Sequence, residues 1–198
     1  MNNRIISLIV LILLLISLIA FTSIHKNKHW SKNIFDIDYI YKHSVLHKDD
    51  LKHLKVKLKK TFKGVSLFAN RDIKKHEVLA YYKARICRIT DKDKFQRKYR
   101  VALYSKRRKM YKYLISNIYE NSLDIAENDI PYWAYLSNEP SESQTSNCYL
   151  QTHDPLKRVR VGDSVIYRLI STRPIKKDEE IVWCYGNYYN RNYKTSCR

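Results

Sequence analysis

The chain has 198 residues, room for one globular domain of ordinary size with an appendage rather than for two separate cores. Its 38 Lys and Arg stand against 19 Asp and Glu, a formal net charge of +19 that suits an anionic neighbour such as nucleic acid or acidic lipid. Compositional drift in a chain rich in Lys, Ile, Asn and Tyr explains the same charge equally well. The four cysteines, Cys87, Cys148, Cys184 and Cys197, have neither C-x-x-C spacing nor the density of a secreted disulfide scaffold, which sets that class aside. They are read as reduced thiols.

In chain order, residues 1–24 are expected to form a membrane anchor. Residues 5–21 are an unbroken run of Ile, Leu, Val and Ala that ends on Phe21, with two Ser and no charge, long enough for one transmembrane helix. A cleaved signal peptide is the rival reading, but no small-x-small site stands out near Thr22 and Ser23. Arg4 lies on one flank and Lys26, Lys28 and Lys32 on the other, so the positive-inside bias puts the rest of the chain on the cytosolic side. Residues 25–53 read as a polar linker with room for a short helix. Its His43, His47 and His53 lack a Cys or acidic partner at ligand spacing and are taken as surface histidines, so no metal is expected.

From residue 54 the pattern alternates, Leu54, Val56 and Leu58 against Lys55, Lys57 and Lys59, as in a half-buried strand. Turn residues around Gly64 lead into the apolar strand Leu67-Phe68-Ala69, and a second turn at residues 71–76 leads into a strand at 77–82. Residues 91–121 are rich in Lys and Arg. Their apolar residues Val101, Tyr104, Met110, Tyr113, Leu114 and Ile118 fall at helical spacing, which predicts one or two basic amphipathic helices. Strands are expected at 157–161 and 164–170 around a turn at Gly162-Asp163, and again at 180–185.

Three blocks carry a family likeness. The first is Lys63-Gly64-Val65-Ser66-Leu67-Phe68-Ala69 followed by Ile73-Lys74-Lys75-His76-Glu77-Val78-Leu79. The second is Tyr135-Leu136-Ser137-Asn138-Glu139-Pro140 with Asn147-Cys148 further on. The third is Arg173-Pro174-Ile175-Lys176-Lys177-Asp178-Glu179-Glu180-Ile181-Val182-Trp183-Cys184-Tyr185-Gly186. In this order they resemble the SET domain of protein lysine methyltransferases, and in plan the small viral members that lack flanking zinc modules. The resemblance implies a mostly β fold over residues 54–190, in which the second and third blocks thread into a pseudoknot. The basic helical insert at about 91–121 would interrupt it, and residues 191–198 would form a C-terminal tail.

The resemblance also implies S-adenosyl-L-methionine as cofactor and a substrate lysine entering from the opposite side. Tyr185, in the terminal tyrosine position of the third block, is the catalytic candidate. Gly64, Val65, Ser66, Asn138, Glu139 and Tyr185 are the cofactor-binding candidates. Tyr82, Trp183 and Tyr189 are the candidates for the walls of a lysine channel, with Tyr188 and Tyr193 as helpers. The chain departs from the family pattern at Ser66, which replaces a second Gly, and at Glu139, which replaces a His beside the adenine. No Cys-x-Cys cluster follows Tyr185, so no zinc is expected.

The function expected is a membrane-tethered protein-lysine N-methyltransferase, with a histone as a plausible substrate by family and the basic insert helping to choose it. The alternative is a SET-like module without catalysis that binds nucleic acid or acidic lipid. Ser66 and Glu139 favour the alternative, whereas Asn138, Glu179, Glu180, Tyr185 and Gly186 oppose it.

Overall fold

The computed structural model describes residues 35–43, 50–88, 101–104, 110–118, 125–126, 129–152, 160–186, 189 and 191–197. The expected anchor at residues 5–21, the strand segment at 157–159 and Tyr188 lie outside the described residues. Among the described residues, no helix is long and apolar enough to cross a membrane.

The fold is mostly β. Strands β1 (Val56–Thr61) and β2 (Gly64–Ala69) form an antiparallel hairpin in register from Val56 opposite Ala69 to Thr61 opposite Gly64. Alternation explains β1, because Val56 and Leu58 are buried while their Lys neighbours reach toward solvent. The main sheet is antiparallel in the order β4-β5-β3-β9-β8, built from β3 (Val78–Arg88), β4 (Val101–Tyr104), β5 (Met110–Ile118), β8 (Cys148–Thr152) and β9 (Ser164–Ser171). A small ladder joins β6 (Ile125–Ala126) to β7 (Ile130–Pro131). Helix α1 (Ile37–His43) lies in the segment read as linker. It packs on the domain through Ile40, which is fully buried, and through Tyr41, whose ring meets Trp133 at 5.7 Å and whose hydroxyl accepts the Leu58 N–H at 2.8 Å.

Two expectations need correction here. Within the segment 91–121, the described residues 101–104 and 110–118 are strands β4 and β5 rather than amphipathic helix, and the rest of the segment lies outside the described residues; β5 pairs with β3 from Ala84 opposite Ile118 to Arg88 opposite Leu114. Helical spacing of a few apolar residues was outweighed by β-branched and aromatic content and by an adjacent strand edge able to accept a partner. Residues 180–185 make β-bridges but no continuous strand, because their partners change from one residue to the next.

The first and third blocks build the same turn twice. Ile73 and Ile175 exchange backbone hydrogen bonds of 2.8 and 3.1 Å. In each block a Glu three residues on closes the turn, Glu77 accepting from Lys74 N at 2.7 Å and Glu179 from Lys176 N at 3.1 Å. The residue before each Glu is left-handed, with φ of 68° at both His76 and Asp178. A side chain there carries backbone strain that glycine would avoid.

The third block then threads through the domain. Asp178 N donates to Ala69 O (2.9 Å), Ala69 N to Glu179 O (2.9 Å) and Ile181 N to Leu67 O (2.8 Å), so it first runs beside β2. One residue later it has new neighbours on both sides: Trp183 N donates to Asn138 O at 3.0 Å, and Cys148 N donates to Val182 O at 3.1 Å. Asn147 completes the crossing with its side chain, donating to Glu180 O at 2.8 Å and accepting from Val182 N at 2.9 Å. Ser137 Oγ donates to Ile181 O at 2.7 Å. The blocks that the resemblance expected to thread together therefore meet through named bonds.

Ile181 is fully buried at this crossing. Replacing it by Ala is expected to cost about 2–5 kcal/mol in urea-induced unfolding, as for other large-to-small core changes. His76→Gly is expected to act in the opposite direction, raising stability by roughly 0.5–1 kcal/mol in the same measurement, because His76 is exposed and its φ is positive.

Candidate active site

The crossing brings most of the predicted site residues together. Gly64 opens β2 with φ of 103°, and no heavy atom lies within 4 Å of where a Cβ would stand, so the turn offers bare backbone to a ligand. Ser66, two residues on, is fully buried. Its hydroxyl accepts from the Asn138 amide at 2.5 Å and is bonded to Thr61 Oγ1 at 3.0 Å. The extra side chain at the second glycine position thus belongs to a polar chain that fixes Asn138. Lys63 extends this contact by donating to Glu139 O at 3.0 Å.

Tyr185 closes the site from the third block. Its hydroxyl donates to Ser137 O at 2.9 Å, so its proton is committed and the oxygen offers lone pairs to an incoming group. Its ring lies between two others, Trp183 at 5.0 Å and Tyr189 at 4.8 Å, both edge-on. Such pairs favour one ring orientation over a sliding stack. Among the described residues the indole N–H of Trp183, which is buried, has no hydrogen-bond partner, an unusual state for a native donor. Tyr82 is 3% exposed in β3 and packs against Tyr167 of β9 at 6.2 Å.

Glu139 behaves differently from a cofactor ligand. It is 3% exposed, and its carboxylate receives Arg191 Nε at 2.7 Å, Arg191 Nη2 at 2.6 Å, Tyr185 N at 2.7 Å and the Tyr193 hydroxyl at 2.9 Å. Burial raises its pKa, but the Arg191, Tyr185 and Tyr193 bonds outweigh burial and hold the carboxyl below its ordinary range. The charge that replaces the family's His is therefore neutralised in place. For Tyr193 the same arrangement, burial first and then the Glu139 bond, pushes the phenol well above its ordinary range.

The C-terminal tail is held over this region. Thr195 Oγ1 donates to Pro140 O at 2.6 Å, Ser196 Oγ donates to Gln144 O, and Cys184 is disulfide-bonded to Cys197. This corrects the reading of all four cysteines as reduced thiols. Their spacing in sequence gave no motif, and it is the return of the tail over residues 139–144 that brings this pair together. Cys148 is a buried free thiol whose pKa is pushed far up by burial. Arg191, Tyr193 and the disulfide are the parts of the site that sequence reasoning missed or underrated. The one local signal was the Arg and Tyr density after Gly186.

The geometry suits S-adenosyl-L-methionine in part. The open backbone at Gly64 and the half-buried Asn138 amide fit a ligand with carboxylate and amino groups. The Glu139 carboxylate does not, since Arg191, Tyr185 and Tyr193 occupy both of its oxygens.

Two ties hold the tail, and they respond to different treatments. A disulfide closing a loop of this size stabilises by about 3 kcal/mol. The Glu139–Arg191 tie depends on pH: the folded pKa of Glu139 is lowered, so its contribution is complete above the ordinary glutamate range and is lost as pH falls below that range and through the lowered folded pKa. In reduced protein, the protection of amides 191–197, measured against their intrinsic exchange rate at each pH, is expected to fall sharply below about pH 4. With the disulfide intact it should change much less. An equal fall in both forms contradicts this account.

Comparison with known proteins identifies the family. A family model described as the SET domain matches residues 64–186. No curated protein sequence matches the chain. Among solved structures, a Plasmodium falciparum protein assigned as a histone methyltransferase is 18% identical, with a TM-score of 0.44, over 69% of this chain and 96% of that one. CpSET8 from Cryptosporidium is 17% identical, with a TM-score of 0.47, over 67% of this chain and 57% of that one. The SET domain of ATXR5, in complex with histone H3 di-methylated on R26, is 18% identical, with a TM-score of 0.45, over 72% of this chain and 62% of that one. The chain thus spans less than two thirds of two of these structures. With the family model covering the span from the Gly64 turn to Gly186, the chain belongs to the SET-domain family of methyltransferases.

Proposed function

We propose that the chain is an S-adenosyl-L-methionine-dependent protein-lysine N-methyltransferase. The observation that carries this reading is the setting of Tyr185, its hydroxyl proton held by Ser137 and its ring held between Trp183 and Tyr189, beside Asn138 and the Gly64 turn. The cofactor supplies a methyl group on a sulfonium. Gly64, Val65 and Ser66 with Asn138 would hold it, the first two through backbone and Asn138 through its amide and carbonyl.

Methyl transfer of this kind is an in-line displacement, so the protein contributes mainly alignment. Trp183, Tyr185 and Tyr189 would flank the substrate nitrogen. Aromatic faces attract an ammonium group as it arrives, and exclusion of water then favours its neutral, nucleophilic form over the charged one. The lone pairs on Tyr185 Oη would aim that nitrogen. A histone substrate rests on the family likeness alone.

A second reading is supported by one contact. The Asn138 amide already donates to Ser66 Oγ at 2.5 Å, which uses a donor that a cofactor would need. A SET-like module that binds nucleic acid or acidic lipid through its positive charge would tolerate that loss. Calorimetric titration of the full chain with S-adenosyl-L-methionine separates the two. The methyltransferase binds it, and the module shows no heat but binds DNA with steep salt dependence. For the methyltransferase, Tyr185→Phe is expected to lower kcat by roughly 10²-fold while cofactor affinity changes little, consistent with loss of an aligning group.

Tethering through residues 5–21, with the domain on the cytosolic side, is supported by the apolar run and its flanking Lys residues. The disulfide supports an oxidising environment instead, since cytosolic thiols are normally kept reduced. Alkylation of the protein in intact cells before lysis decides between them. Labelled Cys184 and Cys197 would mean a reducing, cytosolic site, and their protection would place the domain on the other side.

A further inference from the structure

We propose that Arg191 is a positioning residue for Tyr185, acting through Glu139 and the Gly186 carbonyl. The inference rests on the methyltransferase reading and adds to it a residue beyond the three motif blocks.

Arg191 uses its whole guanidinium on this one region. Nε and Nη2 grip the two oxygens of Glu139 at 2.7 and 2.6 Å, Nη2 also donates to Gly186 O at 2.8 Å, and Nη1 donates to Tyr189 O at 3.1 Å. Glu139 Oε1 in turn accepts the backbone N–H of Tyr185 at 2.7 Å. The guanidinium and the carboxylate together therefore hold the backbone on both sides of the Tyr185–Gly186 peptide, and they hold Tyr189, whose ring packs on Tyr185 at 4.8 Å. The guanidinium itself lies 5.6 Å from the Tyr189 ring centre.

Among the described residues the Glu139 carboxylate is ion-paired with Arg191 alone, so Arg191 sets its orientation. Without Arg191 a carboxylate that is 3% exposed loses its countercharge, and such a group turns toward water or takes up a proton. Either change weakens the acceptor for Tyr185 N. Lysine is a partial substitute, because one ammonium cannot span both carboxylate oxygens and two carbonyls in the fixed geometry of a guanidinium.

The disulfide makes this a positioning role that can be separated from holding the tail. Cys184–Cys197 keeps residues 185–196 within a closed loop whether or not Arg191 is present. Removing Arg191 should therefore disturb the Tyr185 ring while the tail stays attached.

The test uses full-length oxidised protein labelled with 3-fluorotyrosine. The Tyr185 ¹⁹F resonance is assigned by its disappearance in Tyr185→Phe, and those of Tyr82 and Tyr167 by the corresponding Phe variants. Arg191→Gln is expected to shift or broaden the Tyr185 signal and leave the Tyr82 and Tyr167 signals in place, with Arg191→Lys giving a smaller change. Methyl transfer should show kcat lowered roughly 10- to 100-fold in Arg191→Gln, cofactor KM within about threefold, and partial recovery in Arg191→Lys, as expected for a misplaced aligning group. An unmoved Tyr185 signal overturns the proposal. So does movement of the Tyr82 and Tyr167 signals along with it, which marks a general structural role. If the wild-type protein transfers no methyl group, the methyltransferase reading fails, and the ¹⁹F result alone still decides whether Arg191 positions Tyr185.

Discussion

Residues 178–183 need hydrogen-bond partners along their whole backbone, and they find them in three different places. They begin beside β2, through Ala69 and Leu67, and end between Asn138 on one side and Cys148 on the other. A buried peptide group without a partner is costly, so this passage fixes where β2, the segment around Asn138 and the start of β8 stand relative to one another. No regular ladder could do this with partners that change within four residues. Asn147 supplies the missing bonds with its side chain, as both donor and acceptor, at the point where the backbone partners change. Everything described as the site follows from this passage: the Gly64 turn is the start of β2, Asn138 is one neighbour, and Trp183 and Tyr185 are its continuation.

Charge is arranged around the same place. The chain carries a large positive excess, yet two of its acidic groups, Glu179 and Glu139, have specific roles within the crossing. Glu179 is tied to Arg173 at 2.6 Å and to the Asn147 amide at 3.1 Å. Burial raises its pKa, and these bonds with that of Lys176 N lower it below the ordinary range. Glu139 is satisfied from the opposite direction, by the tail. Buried ion pairs often add little net stability, but they are orientation-specific, and here the orientation fixed is that of the segment bearing Tyr185. The disulfide fastens the same tail independently of charge.

The parts legible in the sequence were those encoded by neighbours. Alternation revealed β1, the Gly64 turn and the Leu67-Phe68-Ala69 strand were readable from composition, and the three motif blocks identified the family. The parts that were not legible depend on distant partners. Nothing near Glu139 indicates Arg191, which lies in a tail with no motif, and the substitution of Glu for His looked like damage until its partner was in view. Cys184 and Cys197 are separated by 13 positions without a recognisable pattern. The misreading of residues 101–104 and 110–118 has another cause. A Tyr- and Ile-rich strand interrupted by Lys satisfies a loose helical period, and only the free edge of β3 decides that it pairs as strand. Tyr82 was a candidate through the family resemblance alone; its register opposite Tyr167 within the sheet depends on the distant strand β9 and was not legible.

The central claim is that the threaded segment, the Gly64 turn and Asn138 form one cofactor site. Hydrogen exchange of the full chain with and without S-adenosyl-L-methionine tests it most directly. The account predicts added protection at residues 63–67, 138–139 and 183–186 together, with little change in β8 and β9. Protection confined to other surfaces, or an exchange pattern unaltered by saturating cofactor, would contradict it.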